Sequence, residues 1–144
     1  MVASYAISQD NGGDAFKASD ASGLNAGASR ADRNGGGGYL AYTGSYLYAA
    51  YATSTANGGS AFSARYGGWL LAESAIVDTG ANGFSSEYGN STIWAESADV
   101  QSITGYAYTT VYNSFINANH ATGDTSTYLG GGNAGDGDDF VYGP

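Results

Sequence analysis

Apolar and polar positions alternate along this chain with a period of two. From Thr92 to Thr104 one parity reads Ile93, Ala95, Ser97, Asp99, Gln101 and Ile103, and the other Trp94, Glu96, Ala98, Val100 and Ser102. Tyr106, Tyr108, Thr110 and Tyr112 share a parity further on. No window carries an apolar stripe at i, i+3, i+4 and i+7, and glycine recurs too often for a long helix. Gly-Gly, Asn-Gly and Gly-Asn punctuation falls at 12–13, 57–59, 67–68, 82–83 and 89–90. Tyr, Thr, Val, Ile, Phe and Trp suit a half-buried pleated surface. Together these features predict an all-β chain with many glycine-containing turns.

The alternation repeats on a longer scale. Phe62-Ser63-Ala64-Arg65-Tyr66-Gly67-Gly68 and Ala72-Glu73-Ser74-Ala75 are answered by Phe84-Ser85-Ser86-Glu87-Tyr88-Gly89-Asn90 and Ala95-Glu96-Ser97-Ala98. The Phe, Tyr and Gly anchors recur after 22 residues and the tetrads after 23, so one insertion separates the copies. Stepping by 22 from Phe62 and Phe84 lands on Leu40 and Tyr106. A unit of this length fits one β-hairpin of a sandwich or meander. It also fits one coil of a β-solenoid, which is the alternative. The inward position of a solenoid is expected to be stricter than this sequence displays, so hairpin sheets are the reading here. The division expected is a single all-β domain over 1–130 and a Gly/Asp-rich C-terminal segment over 131–144, with Gly-rich loops at 10–14 and 31–38.

Composition sharpens the picture. Of 144 residues, 24 are Gly, 24 Ala and 17 Ser, while Leu, Ile, Val and Phe together number 21. Thirteen Tyr and two Trp argue against disorder, which is usually poor in aromatics. So few aliphatics predict a thin core, with burial completed by neighbouring copies at strand edges. A net charge of −9, with four cations, excludes a phosphate-binding surface for nucleic acid. No apolar run is long enough for a membrane-crossing helix, so membrane insertion is not expected, and Met1 to Tyr5 displays neither the basic nor the apolar region of a secretory signal. Zero Cys excludes disulfides and thiolate sites, and a lone His120 excludes a two-His metal site within one chain.

Candidate chemistry is sparse. Asn133-Ala134-Gly135-Asp136-Gly137-Asp138-Asp139-Phe140-Val141-Tyr142-Gly143 resembles one unit of the RTX calcium-binding nonapeptide repeat, with Ala134 where the first glycine of that pattern stands. The resemblance implies export without an N-terminal signal. It makes Asp136, Asp138 and Asp139 the candidate metal ligands and calcium the cation, though one copy supplies only part of a site shared between successive repeats. Apart from that calcium, no cofactor is expected. His120 reads as a solvated turn residue. Glu73, Glu87 and Glu96 are the only glutamates; Glu73 and Glu96 hold equivalent places in the repeat and read as a solvent-facing row rather than a catalytic pair. No nucleophile elbow is present, and no enzyme is expected.

The tyrosines carry the functional expectation. Tyr39, Tyr42, Tyr46, Tyr48 and Tyr51 fall within 13 residues and occupy both parities, so both faces of any strand there are apolar. With Trp69 and Trp94 they form the predicted assembly or binding surface. The expectation is a non-enzymatic extracellular structural protein whose partner is itself, assembling into a filament or matrix through β-strand and tyrosine contacts. The alternative is a secreted carbohydrate- or calcium-binding module.

Overall fold

The computed structural model of the chain describes residues 1–123, 128–129 and 140–142. The first coil supplies β1 (Ile7–Gln9), β2 (Phe16–Ala18) and β3 (Gly23–Asn25). The second supplies β4 (Arg30–Asp32), β5 (Tyr39–Tyr42) and β6 (Tyr46–Tyr48). In the next two coils the first two strands run together, giving β7 (Thr53–Arg65), β8 (Trp69–Leu71), β9 (Ile76–Glu87) and β10 (Thr92–Trp94). The fifth coil supplies β11 (Asp99–Val100), β12 (Tyr108–Val111) and β13 (Phe115–Asn117). Three further strands follow: β14 (Thr122–Gly123), β15 (Tyr128–Leu129) and β16 (Phe140–Tyr142).

Every strand pairing among the described residues is parallel, and each strand pairs with its counterpart in the next coil. The molecule is therefore a β-solenoid of about five turns. This corrects the hairpin reading: a hairpin pairs strands across a turn of a few residues, whereas Tyr46 pairs with Trp69 and Trp69 with Thr92, a full coil away. Three strand columns per coil give three facets. One is a separate six-stranded sheet, β3-β6-β8-β10-β13-β16; the other two belong to one ten-stranded sheet. The last strand of the six-stranded sheet, β16, lies within the stretch that the sequence set apart as a C-terminal segment.

The core is a set of columns along the solenoid axis. The middle residues of the six-stranded sheet, Leu24, Leu47, Leu70, Ile93 and Ile116, all point inward and are buried. Opposite them runs an aromatic ladder of Phe16, Tyr39, Phe62, Phe84 and Tyr108. Its successive ring centroids lie 5.1, 4.7, 4.9 and 5.4 Å apart, with planes within 12° of parallel. Columns of alanine fill the corners: Ala26, Ala49, Ala72, Ala95 and Ala118 are fully buried. A linear core thus uses one ring and one or two aliphatics per coil, Val77 and Val100 being the second in the fourth and fifth, and small residues for the rest. Few aliphatics suffice because the sheets approach closely.

The corners depend on left-handed backbone. Tyr5, Ala28, Tyr51, Ser74, Ser97 and His120 hold equivalent places with φ of 59, 52, 59, 53, 56 and 57°. Such residues carry a local cost that the surrounding ladder must offset. At the next corner Tyr66 and Tyr88 are each followed by a glycine, Gly67 and Gly89, with φ of 75 and 70°. The Gly-rich stretches read as loops stack as the third corner. There Asn34 donates from its backbone N and its Nδ2 to Asn57 Oδ1, both at 2.8 Å, and Asn11 N donates to Asn34 Oδ1 at 3.1 Å. Gly58 lies so close to the coil before it that a Cβ there would meet Gly35 O at 2.5 Å.

Candidate binding face

On the six-stranded sheet, each strand turns its middle residue inward and its two flanking residues outward. From β6 to β13 the outward set is Tyr46 and Tyr48, Trp69 and Leu71, Thr92 and Trp94, Phe115 and Asn117. None is charged, in a chain of net charge −9. Tyr46 stacks on Trp69 at 4.8 Å and 26°, and Trp94 meets Phe115 edge-on at 6.4 Å. Tyr46, Trp69 and Trp94 remain 37, 38 and 38% exposed. Burial, and then the neighbouring Tyr48, pushes the Tyr46 phenol above its ordinary value.

The adjoining corner extends this surface. Tyr66, Tyr88 and Tyr112 stack at 5.0 and 5.1 Å with planes 11 and 17° apart, and all three are exposed. Tyr42 meets Tyr66 edge-on at 5.2 Å, and Lys17 Nζ lies 5.2 Å from the centre of the Tyr42 ring. In both stacks neighbouring rings turn a face toward each other along the axis, and Tyr88 is stacked on both sides.

Of the residues singled out in the sequence, Tyr46, Tyr48, Trp69 and Trp94 come together on this facet, with Tyr42 around the corner. Tyr39 lies elsewhere. Its ring is fully buried in the inner ladder, and its hydroxyl lies 3.1 Å from Ser29 Oγ and donates to Thr53 O at 3.2 Å. Burial pushes its phenol well above the ordinary value, partly offset by the Ser29 hydrogen bond. Tyr51 stands at the opposite corner, beside Tyr5 and Ala28. By parity Tyr42, Tyr46 and Tyr48 fall on one face and Tyr39 and Tyr51 on the other; this holds through Tyr48, since the inward set runs unbroken from Tyr39 and Ala41 to Leu47, and fails at Tyr51, where the corner at Ala49 to Ala52 shifts the inward parity to Ser54. The outer stack of Tyr66, Tyr88 and Tyr112 was not singled out, although the first two sit at matched places in the sequence repeat.

Other candidate chemistry is dispersed. Glu87 Oε2 pairs with Arg65 Nε at 3.3 Å, and Glu96 Oε1 lies 3.7 Å from His120 Nδ1. Glu73 and Glu96 occupy matched positions on adjacent coils at an outer corner, the row anticipated from the tetrads. His120 sits exposed at that corner in left-handed backbone. Arg33 bridges Asp10 and Asp32, at 3.0 and 2.8 Å, and holds the Asp10 carboxyl below the usual carboxylate range. Among the described residues no three His, Cys, Asp or Glu side chains gather where they could hold a metal. Asp136, Asp138 and Asp139 lie outside the described residues. No family model, curated protein or solved structure matches this chain.

Proposed function

We propose that this protein is a non-enzymatic, extracellular structural subunit that associates side by side with its own copies through the aromatic facet. The observation that carries this reading is ring orientation. A sugar-binding platform offers open ring faces to a pyranose; here Tyr46 with Trp69, and Tyr66 with Tyr88 and Tyr112, spend ring faces on stacking with one another, Tyr88 on both sides. Rings at the coil spacing, as in Tyr66, Tyr88 and Tyr112, suit interdigitation with a like surface, as in packed sheets. Contiguous exposed aromatics are a recognised mark of an association surface. The absence of charge among the outward residues from Tyr46 to Asn117 lets two acidic molecules approach on this side without repulsion.

The test is sedimentation velocity and negative-stain microscopy on the wild type and on the double variant Tyr46→Ser with Tyr48→Ser, beside circular dichroism. Assembly is expected to fall while the β signal persists. A wild type that stays monomeric at high concentration, with and without calcium, would defeat the proposal, as would unchanged assembly of the variant.

A further inference from the structure

We infer that a second contact between copies is built into the corner carrying Tyr5, Ala28, Tyr51 and Ser74. Two copies join there antiparallel, each inserting its Tyr51 into the slot that the other leaves over Ala28. The inference rests on the self-association reading but uses a different surface.

The four residues stand one above another on successive coils. Backbone hydrogen bonds hold this corner in register, with Tyr5 N donating to Gly27 O, Ala28 N to Ala50 O, Tyr51 N to Glu73 O and Ser74 N to Glu96 O, at 2.9 to 3.1 Å. Tyr5 and Tyr51 share a φ of 59°, so their side chains start from the same backbone geometry, and they remain 82 and 63% exposed. Between them the intervening coil offers only Ala28. The result is a cavity of about 270 Å³ bounded by the two tyrosines, with Gly27, Ala28 and Ala50 among its small lining residues.

Ring spacing identifies the occupant. In this molecule's own ladders, stacked rings sit 4.7 to 5.4 Å apart, one per coil. Two coils separate Tyr5 from Tyr51, about 9.6 Å at the usual strand spacing. One ring supplied from outside therefore completes the stack at the same interval. The column reads large, small, large, small, and such a comb is self-complementary. A two-fold axis midway between the levels of Ala28 and Tyr51 sets Tyr51 of the second copy over Ala28, and its Tyr5 over Ser74. Four rings then stack in alternation from the two copies, an isologous and closed arrangement.

The flanking columns decide the direction. Under the same two-fold, exposed Ile7 comes level with Ile76 of the second copy, and Arg30 with its Thr53. Glu73 comes level with Ser4. A parallel slide by one coil also fills the slot, but parallel copies are related by an axis along the solenoid, which sets the column of Ser4 and Glu73 against the column of Ile7 and Ile76; Asp99 of the second copy then comes level with Glu73. Like charges facing across an interface oppose it, so the antiparallel arrangement is favoured.

The decisive variant is Ala28→Tyr. It fills the slot with the chain's own ring at a φ that Tyr5 and Tyr51 already adopt, so the fold is kept. By sedimentation equilibrium its self-association is expected to be at least tenfold weaker than that of wild type, with the melting temperature unchanged or raised. Association equal to wild type would overturn the contact. If Tyr46→Ser with Tyr48→Ser abolishes assembly while Ala28→Tyr leaves it intact, the corner contact fails and the facet reading stands. A wild type that is monomeric throughout ends both. Direction is tested by mixing single-cysteine chains with oxidised glutathione as the electron acceptor, since the chain has no cysteine of its own. Tyr5→Cys mixed with Ser74→Cys is expected to cross-link, and Tyr5→Cys mixed with Ala28→Cys is not; the reverse result would overturn the antiparallel pairing. Saturable binding of tyrosine amide or glucose to wild type, lost in Ala28→Tyr without any change in self-association, would make the slot a small-ligand site and overturn the second copy as its occupant.

Discussion

Two aromatic columns run along this solenoid with nearly the same spacing and opposite surroundings. In the inner ladder, Phe62 and Phe84 lie 4.9 Å apart with no exposure; in the outer stack, Tyr66 and Tyr88 lie 5.0 Å apart and are 51 and 37% exposed. Stacking geometry is therefore a product of the parallel register and not a measure of stabilisation. What separates the columns is the area each ring withdraws from water. A buried ring contributes most of its apolar surface to the core, while an exposed pair gains mainly the ring–ring term of about 0.5–1.5 kcal/mol. The inner column holds the coil together, and the outer leaves apolar ring surface for something else to cover.

The strongest test of the contrast is Phe62→Ala. It removes the middle rung of the inner ladder and should destabilise by about 3–5 kcal/mol, the usual cost for a buried phenylalanine. Chemical denaturation monitored by circular dichroism measures it, and a loss below that of an outer-stack variant would erase the distinction. A finer cut is Tyr39→Phe, which keeps the ring and deletes the hydroxyl that bonds Thr53 O and lies by Ser29 Oγ. A loss of about 1 kcal/mol is expected at neutral pH. The same variant has an alkaline signature. Burial raises the folded phenol's pKa, so its contribution is fully present below the ordinary tyrosine value of about 10 and is lost as pH rises from there toward the folded value. Wild type should therefore weaken more steeply than Tyr39→Phe above pH 10, when melting is followed at stepped pH.

The outer stack should respond less. Tyr88→Ala interrupts Tyr66–Tyr88–Tyr112 and should cost about 1 kcal/mol or less of monomer stability, while reducing assembly in sedimentation. A core-sized loss would mean that the outer rings belong to the fold. The smallest effect expected is that of Asp10→Asn. Arg33 depresses the Asp10 carboxyl, so the pair contributes above the ordinary carboxylate range and is lost as pH falls through the lowered value. Both groups are solvent-exposed, so a slight change in melting temperature at pH 7 that disappears in acid or at high salt is the expected outcome.

Legibility in the sequence followed the same division. Alternation and glycine punctuation spelled out strands and turns, and the repeat from Phe62 to Ala98 marked out two coils. The step of 22 misled because it belongs to one irregular place. Phe62 pairs with Phe84, but Phe84 pairs with Tyr108 and Phe62 with Tyr39. The fourth coil is one residue short before Phe84 and regains it near Asn90, so Trp69 still pairs with Thr92. Extrapolating the short step reached Leu40, one residue off, which in a strand moves a side chain to the other face, and Tyr106, two residues off and ahead of the start of β12. Leu40 is outward of the ladder and Tyr106 is 43% exposed. The inner aromatic position was strict after all, but hidden by that slip.

The sequence by itself determined local matters: β-structure over helix, the turn sites, a chain rich in small residues that lets layers approach, and an acidic balance carried away from the aromatic positions. These follow from φ/ψ preference, side-chain size and charge, each a property of a few neighbouring residues. Only the tertiary structure decided that the strands pair in parallel with the next coil rather than back upon themselves. Hairpins and coils share the same two-residue alternation, and what distinguishes them is pairing a full coil away. That choice also decided which tyrosines are core and which are surface, because closing the strands into a coil makes one face of each strand the interior and the other the outer wall. Tyr39 and Tyr46 lie on opposite parities of one unbroken alternation, and so end on opposite sides of the wall.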